Sequence, residues 1–183
     1  MKPVLIINES VPDTKRRLVV VNKQSVFTDV ELHSYKHAEG NIQDVKIGNA
    51  MAADNSEDMD GAIIARNVEF RDSELRKLIR AYLADETNCG AGDQLNLEDA
   101  EYKYFLALSV QFNDALLKPL AEYFHRYLVW GALYDWYSQF NLNISDRYKK
   151  GLEAAESGIM DLVAGTSIAK RPMQPFGPAQ KIY

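Results

Sequence analysis

His33 and His37 stand four residues apart with Glu31 and Glu39 close by. On a helix that spacing turns two imidazoles to one side and makes half of a metal site. The flanking residues read as strand and turn, however, and the third histidine, His125, is remote in sequence. Ordinary surface histidines account for them better. Ser56-Glu57-Asp58-Met59-Asp60-Gly61 has the look of a calcium loop. Setting Gly61 at the sixth loop position puts Asp58 and Asp60 at the third and fifth. The first position then falls on Ser56 and the twelfth on Asn67, where an Asp and a Glu are needed. A solvated acidic loop is the better reading. Cys89 is the single cysteine, so no intrachain disulfide and no cysteine zinc cage can form. It reads as a buried or incidental thiol.

The other chemical signatures also fail. Gly90-Ala91-Gly92 lacks the third glycine of a dinucleotide fingerprint and follows an expected helix rather than a strand. Neither a Gly-Lys-Ser/Thr phosphate loop nor a Gly-x-Ser-x-Gly elbow occurs. Glu98, Asp99 and Glu101 sit at an expected helix start, where the helix dipole already explains them. Lys15-Arg16-Arg17 touches a few phosphates at most. No catalytic residue, metal or cofactor is expected, and the chain reads as a structural protein rather than an enzyme.

The elements that would carry these side chains follow from the apolar pattern. The chain has 183 residues, 46% hydrophobic and 26% charged, with a net charge of -5. That composition suits a globular domain with appendages and advertises neither nucleic acid nor an anionic membrane. No apolar run approaches the roughly 18 residues of a membrane span, and no signal peptide is expected. Residues 1–65 read as an N-terminal β-rich arm: Val4 to Ile7, Leu18 to Val21 and Val26 to Leu32 as strands, residues 51–61 as an acidic linker, and Ala62 to Ala65 as a short strand or the linker's end. Residues 66–167 read as a helical core. Asp72 or Ser73 starts a first helix with Leu75, Leu78, Ile79, Tyr82 and Leu83 on its stripe. Asn96 starts a second, through Tyr102, Phe105, Leu106 and Ser109. Pro119 starts a third, running to about Phe140. Asn143 or Ser145 caps a fourth, with Tyr148, Leu152, Ala155, Ile159 and Leu162 on its stripe and Gly165 as its stop. Residues 168–183 form an extended tail with three prolines, cations and no acid. The expected fold is mainly α: a bundle of about four helices, an N-terminal extended or β region, and an extended C-terminal tail.

The third helix is unusual. From Tyr123 to Tyr137 its apolar and aromatic residues wrap most of the way round, where a surface helix shows a stripe. Either its own domain buries it, or a second subunit covers part of it, since Tyr and Trp are enriched at such contacts. Tyr123, Tyr127, Trp130, Tyr134, Trp136 and Tyr137 are the candidate contact residues on this helix. The tail adds Arg171, Phe176 and Tyr183, the last two as apolar anchors.

Pro119-Leu120-Ala121, then Tyr127 to Tyr137, then Asp146-Arg147-Tyr148-Lys149-Lys150-Gly151-Leu152-Glu153-Ala154-Ala155 resembles the helical core of tailed-phage head–tail connector proteins, the adaptor or head-completion proteins of the neck. The likeness is one of helix lengths and residue types over about a third of the chain. The N-terminal extended region and the proline-rich tail depart from the smallest members. The resemblance implies a homo-oligomeric ring, usually twelvefold, docked beneath the portal protein in the virion neck and assembled in the host cytoplasm. Such a ring extends the DNA channel without binding DNA specifically, touches no membrane, and docks the next neck or tail protein. The alternative is a helical regulatory or nucleic-acid-binding module that uses Lys15, Arg16, Arg17 and Lys23.

Overall fold

The computed structural model describes residues 14–41, 59–84, 100–139 and 141–164. They form a mainly helical fold with one small antiparallel sheet. In chain order the elements are strand β1 (Thr14–Asn22), helix α1 (Lys23–Asn41), helix α2 (Met59–Leu78), strand β2 (Glu101–Ser109), helix α3 (Leu117–Tyr137) and helix α4 (Leu142–Ala164). Short 3-10 turns at Arg80–Tyr82 and Asp114–Leu116 follow α2 and precede α3.

β1 is the strand expected from Leu18 to Val21. It pairs with β2 so that Val19 faces Tyr104 and Val21 faces Tyr102. On both strands alternate residues point inward: Arg17, Val19 and Val21 on β1, and Tyr102, Tyr104, Leu106 and Leu108 on β2. The segment expected to be a helix from Asn96 is therefore β2 over its second part. Tyr102, Tyr104, Leu106 and Leu108 repeat every second residue, and nine such residues opposite β1 gain a full ladder that a helix here would forfeit. Past the turn after α2, Leu83 bridges to Leu106 and the Ala84 amide donates to Phe105 O at 2.9 Å, along β2's other edge.

α1 replaces the strand expected at Val26 to Leu32. Its buried stripe is Val26, Val30 and Ser34, one turn apart. Asn22 ends β1 and caps α1, its Oδ1 accepting the Ser25 amide at 2.9 Å. His33 and His37 thus lie on one helix after all. α2 starts at Met59, so Ala62 to Ala65 is helical and Asp72 and Ser73 lie inside a helix instead of capping one. Gly61 too is helical, at odds with a calcium loop there.

The last two helices match their expected bounds to within about three residues. Asn141, rather than the expected Asn143 or Ser145, caps α4: its Oδ1 accepts the Asn143 and Ile144 amides at 3.1 and 3.3 Å, and Asn143 and Ser145 lie inside the helix. α3 is the hub of the fold: α4, α2, α1 and β1 all pack on it. That surrounds it with protein and explains its all-round apolar sequence. Phe124, Leu128, Ala132, Leu133 and Trp136 are wholly buried, and each large side chain so buried contributes roughly 1.5–3 kcal/mol. One core joins β1 and α1 to the helical hairpin. Among the described residues no helix is long and apolar enough to cross a membrane.

Candidate functional site

α3 and α4 form a helical hairpin joined by a short polar turn. Their contact is antiparallel: Tyr137 stacks on Tyr148 at 5.6 Å and 10°, Trp130 lies over Gly151, and Tyr123 lies over Gly158. The two glycines are notches. A Cβ at Gly151 would stand 2.5 Å from Trp130, and one at Gly158 the same distance from Tyr123. A third notch, Gly131, receives the Arg71 side chain from α2. Close helix approach is therefore set by small residues facing large ones.

The six aromatic residues singled out on this helix separate into two groups. Tyr127, Trp136 and Tyr137 are buried within the subunit and have little surface left for a neighbour. The Tyr137 hydroxyl donates to Ser34 O of α1 at 3.0 Å. Tyr123, Trp130 and Tyr134 are half-buried at the rim. Trp130 sits between His33 and Tyr148, with ring centroids at 5.9 and 5.7 Å. Tyr134 lies beneath the Arg71 guanidinium at 5.6 Å. Arg171, Phe176 and Tyr183 lie outside the described residues, as do Cys89 and the Gly90-Ala91-Gly92 run.

Polar pairs tie the elements together, and the sequence pattern showed little sign of those that link one element to another because they join residues distant in sequence. Arg71 of α2 grips Asp135 of α3 with two hydrogen bonds, Nε to Oδ2 at 2.7 Å and Nη2 to Oδ1. Arg17 of β1, only 6% exposed, grips Asp114 ahead of α3 through Nε and Nη2 at 3.0 and 2.8 Å. His125 Nε2 meets Asp29 Oδ2 of α1 at 2.7 Å. Two like arrangements join β2 to α2. The Tyr104 hydroxyl donates to Asp72 Oδ1 at 2.6 Å, while Arg76 pairs with the other Asp72 oxygen at 2.8 Å and lies over the Tyr104 ring. The Tyr102 hydroxyl donates to Glu69 Oε1 at 3.1 Å, with Lys23 near the same oxygen and over the Tyr102 ring. Burial, and then the Asp72 carboxylate, push Tyr104 well above the usual tyrosine range, and burial with Glu69 does the same to Tyr102. Burial raises Tyr148 to about 12. The Tyr104 and Tyr102 phenols stay protonated as donors.

Such pairs position elements rather than reacting atoms. The basic cluster behind the nucleic-acid alternative is partly spent in the same way, since Arg17 and Lys23 are committed inside the subunit. Among the described residues no group of three or more His, Cys, Asp or Glu is placed to hold a metal ion. No family model, curated protein or solved structure matches the chain. Among the described residues, the hairpin with its aromatic rim is the candidate site.

Proposed function

We propose that this chain is a structural subunit of a phage neck, forming a ring between portal and tail that extends the DNA channel and docks the next tail component. The observation that carries the reading is the hairpin: Leu117–Tyr137, a four-residue connection, then Leu142–Ala164. Those are the order, lengths and residue types in which the sequence resembles head–tail connectors. The charged clamps support it too. Arg71 on Asp135 and Arg17 on Asp114 tie α2 and β1 to α3 and the turn before it, which suits a subunit held under strain in a ring. In a ring each subunit offers two different lateral surfaces to its neighbours. Tyr123, Trp130 and Tyr134, together with Arg171, Phe176 and Tyr183 of the tail, are the residues proposed for those contacts.

The test is mass spectrometry of purified particles of the phage that encodes the chain. Its peptides are expected in mature particles at about the copy number of the portal subunit. Absence from mature particles would sink the proposal. Light scattering on a mixture with the portal protein gives the second readout, with a ring-sized gain in mass expected.

A further inference from the structure

We infer that the open edge of β1 is a docking site for the chain's own preceding segment, with Val4 to Glu9 pairing antiparallel to Arg16–Val21 as a third strand. The far edge of β2 is taken, since the Ala84 amide donates to Phe105 O at 2.9 Å. That bond also fixes which way the backbone of β1 points. In an antiparallel ladder successive residues turn their N–H and C=O to opposite edges. Phe105 turns its carbonyl away from β1, so Phe105 and its register partner Leu18 form a non-hydrogen-bonded pair. Leu18 therefore turns its own N–H and C=O away from β2, and so do Arg16 and Val20 to either side. Arg16 O accepts Arg17 Nη1 at 2.8 Å. Among the described residues no backbone group meets Leu18 or Val20 on that edge. Both faces of the edge are apolar. Val19 and Val21 are buried on the inner face, and Leu18 and Val20 are half-buried on the outer one, with Phe105 opposite Leu18.

Residues 1–13, directly ahead of β1, lie outside the described residues, and their sequence fits that edge. Pro12-Asp13 stands immediately before Thr14, with proline where a type I turn prefers it. Reversing the chain there sets Val11 opposite Thr14, and the rest of the register follows. On the outer face Glu9 meets Arg16, Ile7 meets Leu18 and Leu5 meets Val20. On the inner face Asn8 meets Arg17, Ile6 meets Val19 and Val4 meets Val21. Four successive pairs are apolar on apolar, and the acid falls on a cation. The backbone agrees: Leu5, Ile7 and Glu9 exchange bonds with Val20, Leu18 and Arg16, the residues that point outward. One residue of slip would set Ile7 against Arg17 or Asn8 against Leu18. A second copy of β1 fits the same edge worse. Paired antiparallel with itself, β1 sets Arg16 against Val20 when centred on Leu18, and Lys15 against Lys23 when centred on Val19. Pro3 and Pro12 bracket the added segment, and prolines blunt an edge against further pairing. A lone two-stranded β-hairpin is marginal in water, so the segment docks on a sheet that β2 has already built.

The inference does not rest on the ring reading, and its test needs no phage particle. Amide hydrogen exchange of the full chain is followed residue by residue by NMR. The Leu18 and Val20 amides should exchange at least about a hundredfold more slowly than open amides, at a rate independent of protein concentration. The double variant Leu5→Pro/Ile7→Pro removes the two added-strand amides that face β1. It should return Leu18 and Val20 to open-amide rates. Val19 and Val21, paired with Tyr104 and Tyr102 of β2, should stay protected, which shows that the variant is folded. A disulfide gives the second readout. On a Cys89→Ser background, Ile6→Cys with Val19→Cys should oxidise within one chain and run as a monomer on a non-reducing gel. Fast exchange at Leu18 and Val20 in the wild type overturns the inference. So does protection that survives the proline pair. Protection that grows with concentration, or a disulfide formed only between chains, places a second copy on the edge and overturns it as well.

Discussion

The glycine notches make a prediction that runs against helix propensity. A Gly→Ala change inside an unencumbered helix stabilises by about 0.5–1 kcal/mol. At Gly151 the added methyl would stand 2.5 Å from Trp130 Cε3 and 2.9 Å from Cδ2, far inside the roughly 3.5–4 Å of a normal carbon contact. Trp130 has no easy retreat, because His33 and Tyr148 flank its ring. Overpacking of this kind costs about 1–3 kcal/mol. Set against the propensity gain, Gly151→Ala should lose about 1–2 kcal/mol. For a chain of this size that lowers the melting temperature by about 2–8 °C. Urea unfolding followed by far-UV circular dichroism gives the free energy directly. Ser157→Ala, exposed on the same helix, is the control and should be neutral or stabilising by a few tenths of a kcal/mol. Gly158→Ala should cost less than Gly151→Ala, since Tyr123 is half-buried at the rim and can swing outward. Combining Gly151→Ala with Trp130→Phe should recover part of the loss, as expected for two residues in contact. If Gly151→Ala melts at or above the wild type, the packing argument for the hairpin is wrong.

Three other outcomes follow from the polar clamps. Tyr104→Phe leaves the buried Asp72 oxygen without its donor, and urea unfolding should show a loss of about 1–3 kcal/mol. Asp114→Asn strips the buried Arg17 of its carboxylate, with a loss of about 1 kcal/mol, kept small because Asp114 is itself 43% exposed. The Arg17 hydrogen bond holds the Asp114 carboxyl below its ordinary value of 3.8. Its contribution is therefore present above that value and lost as pH falls through the lower folded one, so the gap between wild type and Asp114→Asn should close in acid unfolding below pH 3.8. Burial, then the charge of Lys36, lower His33 from 6.5. The unfolded chain therefore takes up this proton first, and stability should decline as pH falls below 6.5 until His33 titrates in the folded state. His33→Gln should flatten that part of a pH–stability profile measured by thermal melts, and an unchanged slope would contradict the assignment.

The hairpin was legible in the sequence because its signals were local and agreed with each other. Pro119 sits in the first turn of α3, and Tyr148, Leu152, Ala155 and Ile159 keep a helical spacing; only the cap of α4 was misplaced, by two to four residues. β1 was legible for a like reason, since Leu18-Val19-Val20-Val21 favours little else. β2 was not. Tyr102 to Ser109 carries apolar residues on both faces, so helical and alternating templates both fit an eight-residue window. The choice is made by pairing with β1, which no local pattern reveals. α1 was hidden by Val26 and Val30, β-branched residues whose four-residue spacing is short enough to pass for loose alternation. α2 was shortened because Asn67 and Asp72, both buried, interrupt its apolar stripe. The aromatic rim showed in the sequence as an excess of Tyr and Trp on α3. Which of those residues the subunit keeps for itself depended on α1, α2 and β1 closing around that helix, and two of those three elements were misread.

The pairing of β1 with β2 also sets an order of events during synthesis. β1 leaves the ribosome early, while β2 and the Asp114 that Arg17 grips, 97 residues further on, come much later. Contacts of such long sequence separation form slowly and late, whereas the α3–α4 hairpin closes locally. Until then Leu18-Val19-Val20-Val21 is an aliphatic strand with no mate, open to pairing with any other extended chain. Lys15-Arg16-Arg17 lies directly ahead of it, where charged residues act as gatekeepers against such pairing. Read this way, the basic cluster protects the nascent chain before it stabilises the folded one. Replacing Lys15 and Arg16 by Thr should leave the folded stability little changed while raising the aggregated fraction on refolding at tens of micromolar.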